Sequence, residues 1–149
     1  MLLIYAGVDM NRHIKNGIQF ENYILSIFLN GGYSAQLTPA SHDYGADIIL
    51  NYKLYVIAVQ CKYYSAPVGI SAVQQIAAAQ NYYHADATVV VTNSSFTQQA
   101  IQLADSNHVV LIDGSMIHAL FSDSSGNIPL LIIYFLMFIF HCEIIQTYY

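Results

Sequence analysis

Hydrophobic positions along the chain change period several times, and each change marks an element. Phe20, Ile24, Ile27 and Phe28 recur at the three- and four-residue spacing of a helix, which predicts one over residues 18–30. Organised structure starts at Asn16-Gly17, and Gly31-Gly32 supplies the helix stop. A short strand over 33–37 and a polar loop over 38–44 come next. Two strand-like runs follow, from Asp47 to Leu50 and over 55–62, joined as a predicted hairpin through 51–54. In the second run Val56, Ala58, Gln60 and Lys62 share one face, while Tyr55, Ile57, Val59 and Cys61 point the other way.

After a loop with Pro67 and Gly69, Ser71-Ala-Val-Gln74 has the spacing of a capping box and opens a predicted helix to about Tyr83. The run Ala-Thr-Val-Val-Val-Thr over 87–92 is continuously apolar and β-branched, as a strand covered on both faces must be. Thr97 caps a further predicted helix through Ala104, 109–113 forms a strand, and 114–121 a last short helix. Helix, three strands, helix, strand, helix, strand describes an α/β sandwich with a mixed sheet.

The character changes at Ser122. Residues 122–127 are polar and linker-like, and 128–140 are unbroken apolar. A membrane-spanning helix needs about 20 apolar residues, whereas this run stops at His141 and Glu143. Three readings stay open: a membrane anchor, an oligomerisation helix, or a tail foreign to the domain such as a frameshift leaves. The expected organisation is therefore a leader over 1–15, one domain over 16–121, and a polar linker with an apolar tail over 122–149.

A length of 149 residues suits one domain with a real core, and 56% of the residues are hydrophobic. Only 9% are charged, against about a quarter in an ordinary globular chain. The basic residues are Arg12, Lys15, Lys53 and Lys62, against nine acids, which argues against a general polyanion-binding surface. Cys61 and Cys142 carry no zinc spacing and suit a reducing compartment, so a cytoplasmic location is expected, with a membrane tether through 128–140 as the alternative. The six histidines form no metal pair at helical spacing; His42, in the polar loop that leads to Asp47, is the one worth testing.

Candidate chemistry gathers at Asp47, Gln60 and Lys62. If the hairpin forms, a carboxylate, an amide oxygen and an ammonium group converge, a set suited to metal-assisted cleavage of a phosphodiester. Asp47 is the first choice of metal ligand, although Asp after a glycine turn is also a common strand cap. Gln60 offers its side-chain oxygen, with the backbone carbonyl of Cys61 close by; the alternative is a strand-end Gln bonded to main chain. Lys62 would orient or deprotonate the attacking water and stabilise charge on the phosphorane, or else is a solvated strand-end lysine.

A series of short motifs extends this reading. Gly17-x-x-Phe20-Glu21, Gly32-Tyr33, Asp43-Tyr-Gly-Ala-Asp47, Val59-Gln-Cys-Lys62-Tyr, Val68-Gly69, Val91-Thr92, Phe96-Thr97-x-x-Ala100 and Leu111-Ile-Asp-Gly114 occur in this order. Over about residues 16–120 the chain resembles the catalytic domain of the Mrr-type restriction endonucleases, a branch of the PD-(D/E)xK nucleases. The resemblance implies a restriction-endonuclease-like αβββαβ sandwich with a central mixed sheet flanked by helices. It also implies magnesium-dependent hydrolysis of DNA, with manganese as substitute, in defence against foreign or modified DNA. Gln often replaces the acid of the (D/E)xK element in that family, so Gln60 is an expected variant. Glu21 would supply a second carboxylate to the metal site, in place of a bland role on the helix surface.

Supporting positions are Gln75, which would reach the site or a phosphate, Tyr63, which would stack on bases or sugars, and Asp43, which starts the Asp-x-Gly turn. Gln74 is explained by the capping box. With 13 tyrosines in the chain, no single one is a strong pointer. The chain departs from the family in lacking room for a separate winged-helix DNA-reading domain and in its few basic residues. Expected partners are therefore DNA, a separate recognition domain or subunit, and a second copy in a homodimer. The competing functions are a truncated or inactive nuclease fold serving as a subunit or membrane-tethered partner, and a junction-resolving or repair nuclease of the same superfamily.

Overall fold

The computed structural model describes residues 14–39 and 44–117. Its first helix, α1 (Gly17–Asn30), is capped by Asn16, whose side chain accepts the Gln19 N–H at 2.9 Å. Gln19 returns the contact by accepting the Lys15 N–H at 2.7 Å. The reciprocal box sought at Ser71–Gln74 is thus found, in variant form, at the start of α1. Phe20, Tyr23, Ile24 and Phe28 are the buried stripe. Gly31 closes the helix on the Ile27 carbonyl, and Gly32, at φ +82°, turns the chain into the sheet.

The elements that follow are β1 (Ser34–Leu37), β2 (Ile48–Tyr52), β3 (Tyr55–Lys62), α2 (Ile70–Tyr83), β4 (Ala87–Thr92), α3 (Gln98–Ser106) and β5 (Val109–Ile112). The five strands lie in sequence order in one sheet. β1, β2 and β3 are antiparallel neighbours, and β4 and β5 extend the sheet in parallel from β3. The hairpin is tighter than expected: Tyr52 pairs with Tyr55, so only Lys53 and Leu54 turn. All six residues of β4 are buried, because it is flanked by β3 and β5 and covered on both faces.

Two cores sandwich the sheet. On one face α1 packs its stripe on Ile48, Leu50, Ile57, Val59, Cys61, Val89 and Val91. On the other, Ala72, Val73, Ile76 and Ala79 of α2 and Ala100 and Ala104 of α3 cover Ala58 and Val90. The alternation expected of β3 is the observed one. Each large apolar side chain withdrawn from water here contributes about 1.5–3 kcal/mol, and Phe20, Ile48, Leu50 and Ile76 are fully buried.

The expected capping box at Ser71 is corrected. α2 begins at Ile70 with Gly69 as its N-cap and no side-chain cap bond, so Ser71 lies within the first turn. The cause is the preceding residue. Val68 is pinned in a parallel bridge to Phe96, with its N–H on the Ser95 carbonyl and its own carbonyl on the Thr97 N–H. The chain therefore leaves that bridge and enters the helix at once. Thr97 caps α3 as expected, accepting the Ala100 N–H at 3.2 Å, and the helix runs on to Ser106. Residues 114–117 are helical, while the rest of the expected 114–121 helix lies outside the described residues. So do the leader up to residue 13 and the whole of the 122–149 linker and tail. Among the described residues no helix is long and apolar enough to cross a membrane.

Candidate active site

The loop entering β2 places Asp47. Tyr44 and Gly45 take positive φ, at 46° and 91°, and bring the chain against the first turns of α2. Thr38 fastens the loop from below, its hydroxyl donating to the Ala46 carbonyl at 2.7 Å and its N–H to the Asp47 carbonyl at 2.9 Å. Just past the Ile48–Val59 pair, Asp47 donates its N–H to the Val59 carbonyl at 2.8 Å. Its Oδ2 accepts the Cys61 N–H at 2.7 Å. These two bonds bracket Gln60, so a side-chain carboxylate stands where the ladder would otherwise place a main-chain acceptor.

Gln60 lies between them, buried to 3% exposure on the α2 face. Its Nε2 donates to Gln75 Oε1 at 2.9 Å. Its own Oε1 is buried and accepts no hydrogen bond from any described residue. An unmet buried acceptor costs about 1–3 kcal/mol, and such an atom in a native fold calls for an ion, a water or a catalytic role.

Lys62 ends β3, half-buried, across the parallel ladder from Thr92. Glu21 stands half-buried on α1 beside Phe20, whose ring meets that of Tyr63 at 5.7 Å. The Cys61 thiol registers the surrounding charges: burial first, then Asp47 and then Glu21 push its pKa well above the usual value, and Lys62 pulls the other way. Asp47, Glu21 and Lys62 thus act on one end of β3. Glu21 comes from the α1 face, and the Gln60–Gln75 pair occupies the α2 face.

The other expected positions fall as follows. Cys61 lies in the ladder opposite Val91, with its side chain in the α1 core. Tyr63 is turned to the same side, its hydroxyl donating to the Ile14 carbonyl at 2.7 Å. Gln75 is the sixth residue of α2, in its second turn, and touches the site through Gln60. Asp43 and His42 lie outside the described residues. Of the described basic residues, Lys53 stands apart from the site and sits over the Tyr52 ring at the hairpin turn. At a rise of ~3.3 Å per residue the length of β3, about 23 Å, separates it from Lys62.

Two positioning residues, Thr38 and Asn93, went unread in the sequence, and Gly45 was read only as part of a turn. Thr38 holds the loop; Gly45 lets it touch α2; Asn93 pins the chain after Lys62, its side chain accepting the Tyr64 N–H at 2.8 Å and donating to the Tyr64 carbonyl at 2.9 Å. Only Gly45 left a signal, as a glycine between Asp43 and Asp47.

Residues 15–121 match a family model described as restriction endonuclease, of the Mrr catalytic type. Among solved structures, the fold is similar to that of AF1548, a protein of unknown function, with 14% identity and a TM-score of 0.57 over 67% of this chain. It is similar to the MspJI restriction endonuclease in complex with a 27-mer oligonucleotide, at 24% identity and a TM-score of 0.52 over 75% of this chain. AspBHI, a DNA modification-dependent restriction endonuclease, matches at 21% identity and a TM-score of 0.53 over 72%. This chain spans 59%, 30% and 31% of those three chains. No curated protein matches by sequence. What these structures share with the chain is the fold, a mixed five-stranded sheet flanked by helices.

Proposed function

We infer the activity of this chain from the premise that it belongs to the restriction endonuclease family with the Mrr-type catalytic domain: it hydrolyses phosphodiester bonds of DNA with the help of a divalent metal, in defence against foreign DNA. The observation that carries the metal dependence is the buried Gln60 Oε1, which meets no donor among the described residues and sits on the strand position that Asp47 brackets. Carboxylate and amide oxygens are hard donors and fit Mg²⁺ or Mn²⁺, ions that take one or two carboxylates and keep several waters. No group of three His, Cys, Asp or Glu side chains gathers among the described residues, so the reading rests on the amide oxygen of Gln60 beside Asp47.

Asp47 and Gln60 would hold the ion, with the Cys61 carbonyl as a further oxygen donor; Glu21, on the α1 face, would have to reach it around the end of β3. A bound divalent ion would supply charge neutralisation at the scissile phosphate and a more acidic water. The chain's own work is positioning. The bond from the Cys61 N–H fixes the Asp47 carboxylate, and the bond to Gln75 fixes the Gln60 amide. Lys62, two residues beyond Gln60 on the same face of β3, would orient the attacking water and meet the negative charge that develops on the phosphoryl oxygens.

The scarcity of basic residues sets a limit on this reading. With four Lys and Arg in 149 residues, few phosphates can be neutralised along a duplex, and each lost contact lowers affinity and its salt dependence. DNA would therefore be held by a recognition domain, a subunit or a second copy, and catalysed here. The test is a cleavage assay of the full chain on linear, branched and modified DNA with Mg²⁺ or Mn²⁺, beside Lys62→Ala. Cleavage that needs metal and disappears in Lys62→Ala, with folding intact, is the expected result. A well-folded wild type that cuts none of these DNAs with either metal would favour the inactive-subunit reading, and preference for branched DNA the junction-resolving one.

A further inference from the structure

The Gln60 amide presents two chemically opposite ends, and only one of them suits a cation. Which end faces the site is decided by whatever binds the other. In this structure the Gln75 side chain is an acceptor for Gln60 Nε2 at 2.9 Å, which leaves Oε1 buried and unmet. Without that acceptor a half-turn about the last side-chain bond would put the N–H₂ group where the oxygen now lies, and would set donor hydrogens where an ion belongs. A carboxylate at this position would have two equivalent oxygens and need no such guidance.

We propose that Gln75 is a positioning residue which fixes the orientation of the Gln60 amide, so that a neutral side chain presents oxygen to a divalent cation beside Asp47. The proposal rests on the metal-assisted reading above. Gln75 suits the task because its backbone is held. α2 carries it as its sixth residue, and its backbone carbonyl oxygen is so close to Gly45 that a Cβ there would stand 2.5 Å away. Helix, Asp47 loop and β3 are thereby locked in one register. Partners that orient a ligand without touching the metal change affinity by about 10- to 100-fold when removed.

The experiment measures Mn²⁺ affinity of the full chain by the paramagnetic resonance of the ion, with urea stability in EDTA as the metal-free readout. Asp47→Asn reports on the metal site itself, and Gln74→Leu, on the neighbouring exposed position, serves as the control. Gln75→Leu is expected to weaken Mn²⁺ binding about 10- to 100-fold at a stability equal to that of Gln74→Leu. Gln75→Glu, an obligatory acceptor, is expected to bind at least as tightly as wild type. In a Gln60→Glu background the order reverses, because Gln75→Glu then sets two carboxylates against each other and weakens binding. Wild-type affinity in Gln75→Leu, or equal tightening by Gln75→Glu in both backgrounds, overturns the positioning role while leaving the metal reading intact. Loss of Asp47-dependent Mn²⁺ binding in the wild type itself overturns the metal reading, and the positioning role with it.

Discussion

Asp47 and Cys61 are joined by one short hydrogen bond, 2.7 Å from the Cys61 N–H to the carboxylate Oδ2, so the side chain proposed to hold metal also completes the end of a β ladder. The two roles separate by substitution. Asp47→Ala leaves a buried N–H without its acceptor and is expected to cost about 1–3 kcal/mol. Asp47→Asn keeps an oxygen and loses the charge, at a cost of about 1 kcal/mol or less. Both should lose metal-dependent cleavage. Urea titrations in EDTA measure the difference, and equal costs for the two variants would remove the structural half of the account.

Gly45 is required twice over. Its φ of +91° suits glycine, and the Gln75 carbonyl fills the space a side chain would need. A backbone oxygen inside α2 cannot move aside as a flexible side chain would. Gly45→Ala is expected to destabilise the fold by about 1–3 kcal/mol and to weaken Mn²⁺ binding, since it pushes the Asp47 loop off the helix. Thermal unfolding and Mn²⁺ titration of one preparation test both; an unperturbed melting temperature would contradict the close approach.

Cys61 is expected to be chemically quiet. Burial first, then the charges of Asp47 and Glu21, hold its thiol pKa well above the usual value, and the thiolate is the reactive form. The folded value is raised, so the neutral thiol's contribution to stability is complete below the unfolded pKa of about 8.5 and declines as pH rises beyond it. Iodoacetamide at pH 8 should leave Cys61 unmodified in the native protein and alkylate it in urea. Peptide mapping that finds rapid native modification of Cys61 would refute this.

Asp113 gives the opposite sign. Burial works to raise its pKa, but hydrogen bonds from the Ser115 hydroxyl at 2.6 Å and the Met116 and Ser115 N–H groups outweigh it and hold the carboxyl below its ordinary value. Stability from this cap is therefore present above the unfolded pKa of about 3.9 and is lost as pH falls through the lower folded one. Wild type should exceed Asp113→Asn in stability at pH 7 and converge with it in strong acid. A gap that persists unchanged at low pH would mean the charge plays no part.

Much of the fold was legible because it is written in local spacing. The apolar stripe of Phe20, Ile24 and Phe28 and the alternation of β3 each refer to neighbours within one element, and both appear where the periodicity placed them. The β-branched run at Ala87–Thr92 is buried throughout for the reason its composition implied. Ser71 misled because a capping box is only a spacing. What started α2 was the bridge of Val68 to Phe96, made by a segment 28 residues further along.

The sequence by itself determined the order of elements, the two faces of β3 and the residue types available to the site: Asp47, Gln60, Lys62 and Glu21. The order and the faces follow from side-chain periodicity, which needs no knowledge of where distant segments lie; the site residues stand as candidates, Glu21 among them through the family resemblance. Tertiary structure alone decided that Asp47 takes the Cys61 N–H across 14 residues, that Gln75 takes the Gln60 amide across 15, and that Gly45 lies on the Gln75 carbonyl. Strand register and helix docking set these contacts, and with them which atom of Gln60 is left for a ligand. A hydrogen bond tolerates only a few tenths of an ångström, and no spacing along a chain specifies distance that finely.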